Sequence, residues 1–181
     1  NDTLTVSGLG LTATKTVAIS GDAFAFTAPI ADAEINLGVA VPVTVRWTKS
    51  GAPQVGETIT FSTTRGTLSA GTAVTNGSGD ATVTITSANS GSAVLTATND
   101  EATSTNRSIE FVATTAATIE LQASPLTVGV GEQSELTALV RDGDGNLVKN
   151  KTVEFLIETG TGSVSPGTDV TDSQGIAKSV Y

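Results

Sequence analysis

The chain has 181 residues, room for one or two domains, and is rich in Gly (19) and Thr (32) but holds one Trp, one Tyr and five Phe. It has no Cys, His or Met, which removes thiol nucleophiles, disulfides, imidazole bases and the usual zinc and copper ligands. Nine basic against eighteen acidic residues give a net charge of −9, which speaks against a phosphate-binding surface and nucleic acid as a partner.

Along the chain, Asn1-Asp2-Thr3 lacks the basic start and apolar stretch of a signal peptide, so either a signal has been removed or this is an internal piece of a longer protein. No run approaches the ~18 consecutive apolar residues of a spanning helix, so no membrane insertion is expected within this segment. Val43-Thr44-Val45-Arg46-Trp47 alternates apolar and polar, the pattern of a strand with one wet face. Thr58–Phe61, Ala81–Ile85 and Ser108–Phe111 repeat it, with Thr holding strand preference on the hydrated side. Between them lie turn sequences, Ser50-Gly51-Ala52-Pro53, Asn76-Gly77-Ser78-Gly79, Asn89-Ser90-Gly91 and Asp144-Gly145-Asn146. Short alternating strands between frequent turns predict an all-β sandwich, with no helix beyond a single turn. Its expected core is Val43, Val45, Trp47, Ile59, Phe61, Leu68, Val83, Ile85, Ile109 and Phe111.

The chain also repeats itself. Gly51, Ile59 and Phe61 fall on Gly145, Val153 and Phe155 at a spacing of 94. After two inserted residues, Leu68, Val74-Thr75, Gly79 and Ala81 fall on Val164, Val170-Thr171, Gly175 and Ala177 at 96. Val43, Val45 and Trp47 match Leu136, Ala138 and Val140; Phe26 and Pro29 match Leu121 and Pro125. Val17 and Ile19 match Ile109 and Phe111, while Tyr181 is the counterpart of Ile85. A period near 94 suits tandem immunoglobulin-sized β-sandwiches, one complete repeat flanked by two partial ones. Residues 1–22 are then the last two strands of a preceding repeat, 23–115 a complete repeat, and 116–181 a repeat lacking its last two strands.

Ala117–Pro125, Thr137–Asp142, Gly145–Val148, Val153–Phe155 and Thr171–Ala177 together resemble the bacterial immunoglobulin-like repeats of group 1, the intimin and invasin type, of large bacterial surface adhesins. Thr75–Ala81 is a looser version, and Ser50 and Pro53 depart from the usual Asp and Asn of the first turn. The resemblance implies an extracellular, cell-surface stalk of stacked sandwiches presenting a separate binding domain, which would meet any host receptor. The partners of this segment are then neighbouring repeats of its own chain. The unpaired ends leave a second reading, in which the head of one subunit completes the tail of the next and a filament forms. A third, a module binding a glycan or protein through its loops, lacks the exposed aromatic cluster it would need; Phe24 and Phe26 are the only local pair.

No catalytic, cofactor or metal residue is assigned. Asp142, Asp144, Asn146 and Asn150 offer oxygen ligands for calcium, but Leu147 and Val153 stand where a helix-loop-helix site needs Gly and Glu. Hairpin turn chemistry accounts for that cluster, and for Asn99, Asp100 and Glu101, without a cation. Among Asp22, Asp32, Glu34, Glu57, Asp80, Asp100, Glu101 and Glu110 no motif marks a catalytic pair, and no enzyme is expected. Trp47 shares the inward parity of Val43 and Val45, so core packing is favoured over a carbohydrate platform. Asn106-Arg107-Ser108 and Asn76-Gly77-Ser78 match the glycosylation tripeptide but read as surface loops.

Overall fold

The computed structural model describes residues 2–17 and 21–181, and every regular element in it is a strand. In chain order these are β1 (Asp2–Gly8), β2 (Leu11–Val17), β3 (Ala23–Ala28), β4 (Ala33–Asn36), β5 (Val41–Lys49), β6 (Ala52–Pro53), β7 (Thr58–Thr63), β8 (Thr67–Leu68), β9 (Thr72–Val74), β10 (Asp80–Thr86), β11 (Gly91–Thr98) and β12 (Ser104–Val112). After a short connection come β13 (Thr118–Ser124), β14 (Glu135–Arg141), β15 (Thr152–Glu154), β16 (Thr168–Val170) and β17 (Ile176–Val180).

Strands β3 to β12 close one sandwich. One sheet runs β3-β5-β10-β8, with β6 on β5, and the other runs β4-β12-β11-β7-β9. Two-residue periodicity turns Val43, Val45 and Trp47 inward to meet Ile59, Phe61, Val83, Ile85, Ile109 and Phe111, all buried as the alternation predicts. Leu68 differs. It sits on the two-residue edge strand β8 and is only half-buried against the core. Phe26, Ile35, Leu95 and three alanines, at 81, 93 and 97, complete the cluster. On the wet face Thr44 and Thr82 lie directly opposite, their hydroxyls 2.8 Å apart. Trp47 is buried, with the Phe24 ring edge-on at a centroid distance of 6.1 Å, so the indole is a core group and not a platform.

At the N-terminus β1 and β2 form a hairpin joined by Leu9 and Gly10, both at positive φ as the commonest two-residue hairpin turn requires. Its register reproduces that of β11 and β12. Leu4 faces Lys15 as Leu95 faces Arg107, and Asp2 faces Val17 as Ala93 faces Ile109. Ile19, matched to Phe111 in the sequence, lies outside the described residues.

Past residue 117, β13-β14-β17 form one sheet and β15-β16 another, around a smaller core of Ala138, Val140, Val148, Val153, Phe155 and Ala177. The internal similarity recurs bond by bond. The amide of Phe61 donates to the Gly71 carbonyl and that of Phe155 to Gly167, each at 2.8 Å. Trp47 N–H donates to Gly79 O, and Val140 N–H to Gly175 O. Asn76 Oδ1 accepts the amides of Ser78 and Asp80; Asp172 Oδ1 accepts those of Gln174 and Ile176. Buried Thr75 accepts the Glu57 amide on its hydroxyl, and Thr171 accepts that of Lys151, both at 2.9 Å.

The junction as candidate functional site

The chain leaves the sandwich through Ala113, which is buried although it lies in a connection. Its backbone forms a parallel bridge with Val148, and the Lys149 amide donates to the Ala113 carbonyl. Leu37 is tied to the end of β12 by its amide bond to Val112 O and packs against both hydrophobic clusters, so apolar contact is continuous across the connection.

A polar clasp surrounds that contact. The turn after β14 is shaped by Asp142, whose Oδ1 accepts the amides of Asp144 and Asn146 while its Oδ2 accepts Asn146 Nδ2. Held this way, Asn146 reaches back to the sandwich: its Oδ1 accepts the Ser90 amide and its Nδ2 donates to the Ala88 carbonyl, each at 3.2 Å. Lys149 Nζ lies 2.5 Å from Glu110 Oε2 on β12 and 2.7 Å from Glu34 Oε1 on β4. Asn150, at positive φ, donates from Nδ2 to the second Glu34 oxygen at 2.7 Å. Thus two carboxylates on adjacent parallel strands share one ammonium supplied from across the connection.

The charges reinforce one another. The Lys149 hydrogen bond holds the Glu34 carboxyl below its ordinary value against the opposing effect of burial. The bonds to Glu110 and then Glu34 raise Lys149. Burial would push the Asp142 carboxyl up, but the donors of Asn146, Asp144 and Gly145 hold it down. What this arrangement can do is fix one sandwich against the next. Nothing in it activates a nucleophile.

The sequence candidates fall into place differently from one another. Of the four weighed for calcium, Asp142 organises a turn and Asn146 and Asn150 face the junction. In the second cluster, Asn99 closes a turn by accepting the Thr103 amide, and Glu101 pairs with Lys49. Among the carboxylates, Asp80 takes a two-pronged bond from Arg46 at 2.7 and 2.8 Å, Asp22 accepts the Ser50 amide, and Asp100 raises its neighbour Glu57. Glu34 and Glu110 meet at a shared group, the Lys149 ammonium. Lys149 itself was not singled out by its sequence. The available signal was that Val55, its repeat counterpart, carries no charge, which marks the position as particular to one junction.

Residues 39–112, which carry β5 to β12 of the closed sandwich, match the family described as bacterial Ig-like domain (group 1). The inverse autotransporter adhesin YeeJ of Escherichia coli (strain K12) is 36% identical over 136 residues, 71% of this chain and 6% of that protein. Intimin of Escherichia coli O127:H6 is 36% identical over 159 residues, 84% of this chain and 17% of intimin. The chain therefore spans a small fraction of either relative. Among solved structures, the D0-D1 domains of intimin share 31% identity over 89% of this chain and 83% of theirs, with a TM-score of 0.44.

Proposed function

The chain belongs to the bacterial immunoglobulin-like domains of group 1, non-enzymatic sandwich modules of intimin-type adhesins, and on that footing we propose that it is a length of stalk on the outer surface of a bacterium. The stalk holds a distal binding domain away from the cell, and that domain, not this segment, meets the receptor. Residues 1–22, 23–115 and 116–181 are consecutive repeats, the first and last represented in part. The clasp of Glu34, Glu110, Asn146 and Lys149 carries the reading, because a spacer works by fixing the direction in which successive units point. A free linker would let the tip collapse toward the surface. Flexible interdomain motion is the default for small polar interfaces, and the combination of buried Ala113, shared Leu37 and four clasping side chains opposes it. Net charge of −9 and threonine-coated faces keep neighbouring rods apart.

NMR alignment in a dilute liquid crystal tests this. With the clasp intact, couplings from 23–112 and from 118–180 fit one alignment tensor. Two unrelated tensors in the unaltered chain would contradict a stiff stalk.

A further inference from the structure

The closed sandwich is entered at β3 and left at Ala113, and strands close to those two points pair with each other. β4 runs parallel to β12, Ala33–Asn36 against Ile109–Val112. The pairing continues past both ends of β4, through the Asp32 amide on the Ser108 carbonyl at 2.9 Å and the Leu37 amide on the Val112 carbonyl at 3.2 Å. Ahead of β4, the Phe26 carbonyl of β3 accepts Arg107 of β12 at 2.7 Å. Because β4 and β12 are parallel, tension applied at the two ends of the sandwich drags them in opposite directions along their length. The whole ladder is then loaded at once, whereas a hairpin pulled at its adjacent ends opens one bond at a time.

This pair carries a fault. Glu34 and Glu110 are register partners in it, and like charges directly opposite weaken a strand pair. The remedy comes from beyond the connection. Lys149 Nζ lies between the two carboxylates, at 2.7 Å from Glu34 and 2.5 Å from Glu110, while Asn150 donates to the other Glu34 oxygen. Lys149 is itself held beside the exit of β12, by its amide on the Ala113 carbonyl and by the bridge between Ala113 and Val148. We propose that β4 and β12 are the load-bearing pair of the sandwich and that Lys149 staples them from across the connection. A docked neighbour then strengthens the pair against tension, and an undocked one leaves it self-repelling. The proposal rests on the stalk reading, which supplies the tension.

The chain has no native cysteine, so pulling handles can be placed at chosen sites. In the 181-residue chain, Lys15→Cys and Thr115→Cys put the load across residues 23–113 and leave the later sheets attached but outside its path. At constant force in optical tweezers, Lys149→Ala should shorten the lifetime of the sandwich at least about threefold. Adding Glu110→Gln, which removes the repulsion, should restore most of it. Lys178→Ala, whose partner Glu135 lies within the later sheets, should change nothing. With the handles moved to Thr60→Cys and Thr84→Cys, on opposite sheets, Lys149→Ala should have no effect. A lifetime across 23–113 that ignores Lys149→Ala, that is shortened equally along both axes, or that Glu110→Gln does not recover would overturn the proposal. The stalk reading is judged separately, since a single alignment tensor in the unaltered chain leaves it standing whichever of these results is found.

Discussion

The side chains that fix this fold are small polar ones placed where a backbone amide would otherwise go unpaired. Thr75 is buried and accepts the Glu57 amide, so Thr75→Val keeps the shape but strands that donor. It should destabilise the 23–112 sandwich by about 1–2 kcal/mol, lowering its Tm by roughly 5–10 °C in calorimetry, with Thr75→Ser recovering most of the loss. Gly79 carries a second constraint. Its φ is +76°, and a Cβ there would lie 2.4 Å from the Trp47 carbonyl oxygen. Gly79→Ala should therefore cost about 2–3 kcal/mol by chemical denaturation, more than an exposed turn glycine such as Gly10. Lys149→Ala leaves two carboxylates facing each other and should weaken the junction by about 1–2 kcal/mol while sparing the sandwich core. The pH dependence follows from the same pair. Glu34 is depressed, so its contribution is complete above its ordinary value of 4.5 and is lost as pH falls through the lower folded value. Lys149 is raised, so its contribution is complete below 10.5 and is lost above that. Junction stiffness, read by NMR relaxation, should thus be flat from about pH 5 to 10 and fall in stronger acid; a change centred near neutrality would contradict the assignment.

Strand by strand, regularity follows the presence of neighbours. β7 carries the inward pair Ile59 and Phe61, and β15 with the residue after it carries Val153 and Phe155, yet among the described residues β7 pairs on both sides and β15 with β16 alone. Amide hydrogen exchange should accordingly be slow through β5, β7, β10, β11 and β12, and faster by orders of magnitude at Thr152–Glu154. Alternation in the sequence was enough to find β5, β7, β10 and β12 and nine of the ten expected core residues, because period two is a local property. β4 was not legible in that way: Ala33–Asn36 becomes a strand only because β12 offers it an edge. The junction was hidden for the same reason at longer range. Lys149 meets partners 39 and 115 positions earlier, and nothing near it in the chain records them. The turn chemistry of Asn146 is local and legible, but the Ala88 carbonyl it also binds comes from the loop between β10 and β11.

At the scale of the molecule, the turn and core pattern of residues 23–112 recurs past residue 117 and is varied at the connection. Buried positions and turn hydrogen bonds are shared between the two copies, whereas the residues at the connection differ, with Lys149 against Val55 and Asn150 against Gly56. The most direct test is the distance between spin labels on either side of the clasp, at Thr84→Cys and Glu120→Cys, by pulsed dipolar spectroscopy. A single narrow distribution is expected at neutral pH, broadening when Asn146→Ala and Lys149→Ala are added; a distribution already broad in the labelled parent chain, or unmoved by those two changes, would contradict the account.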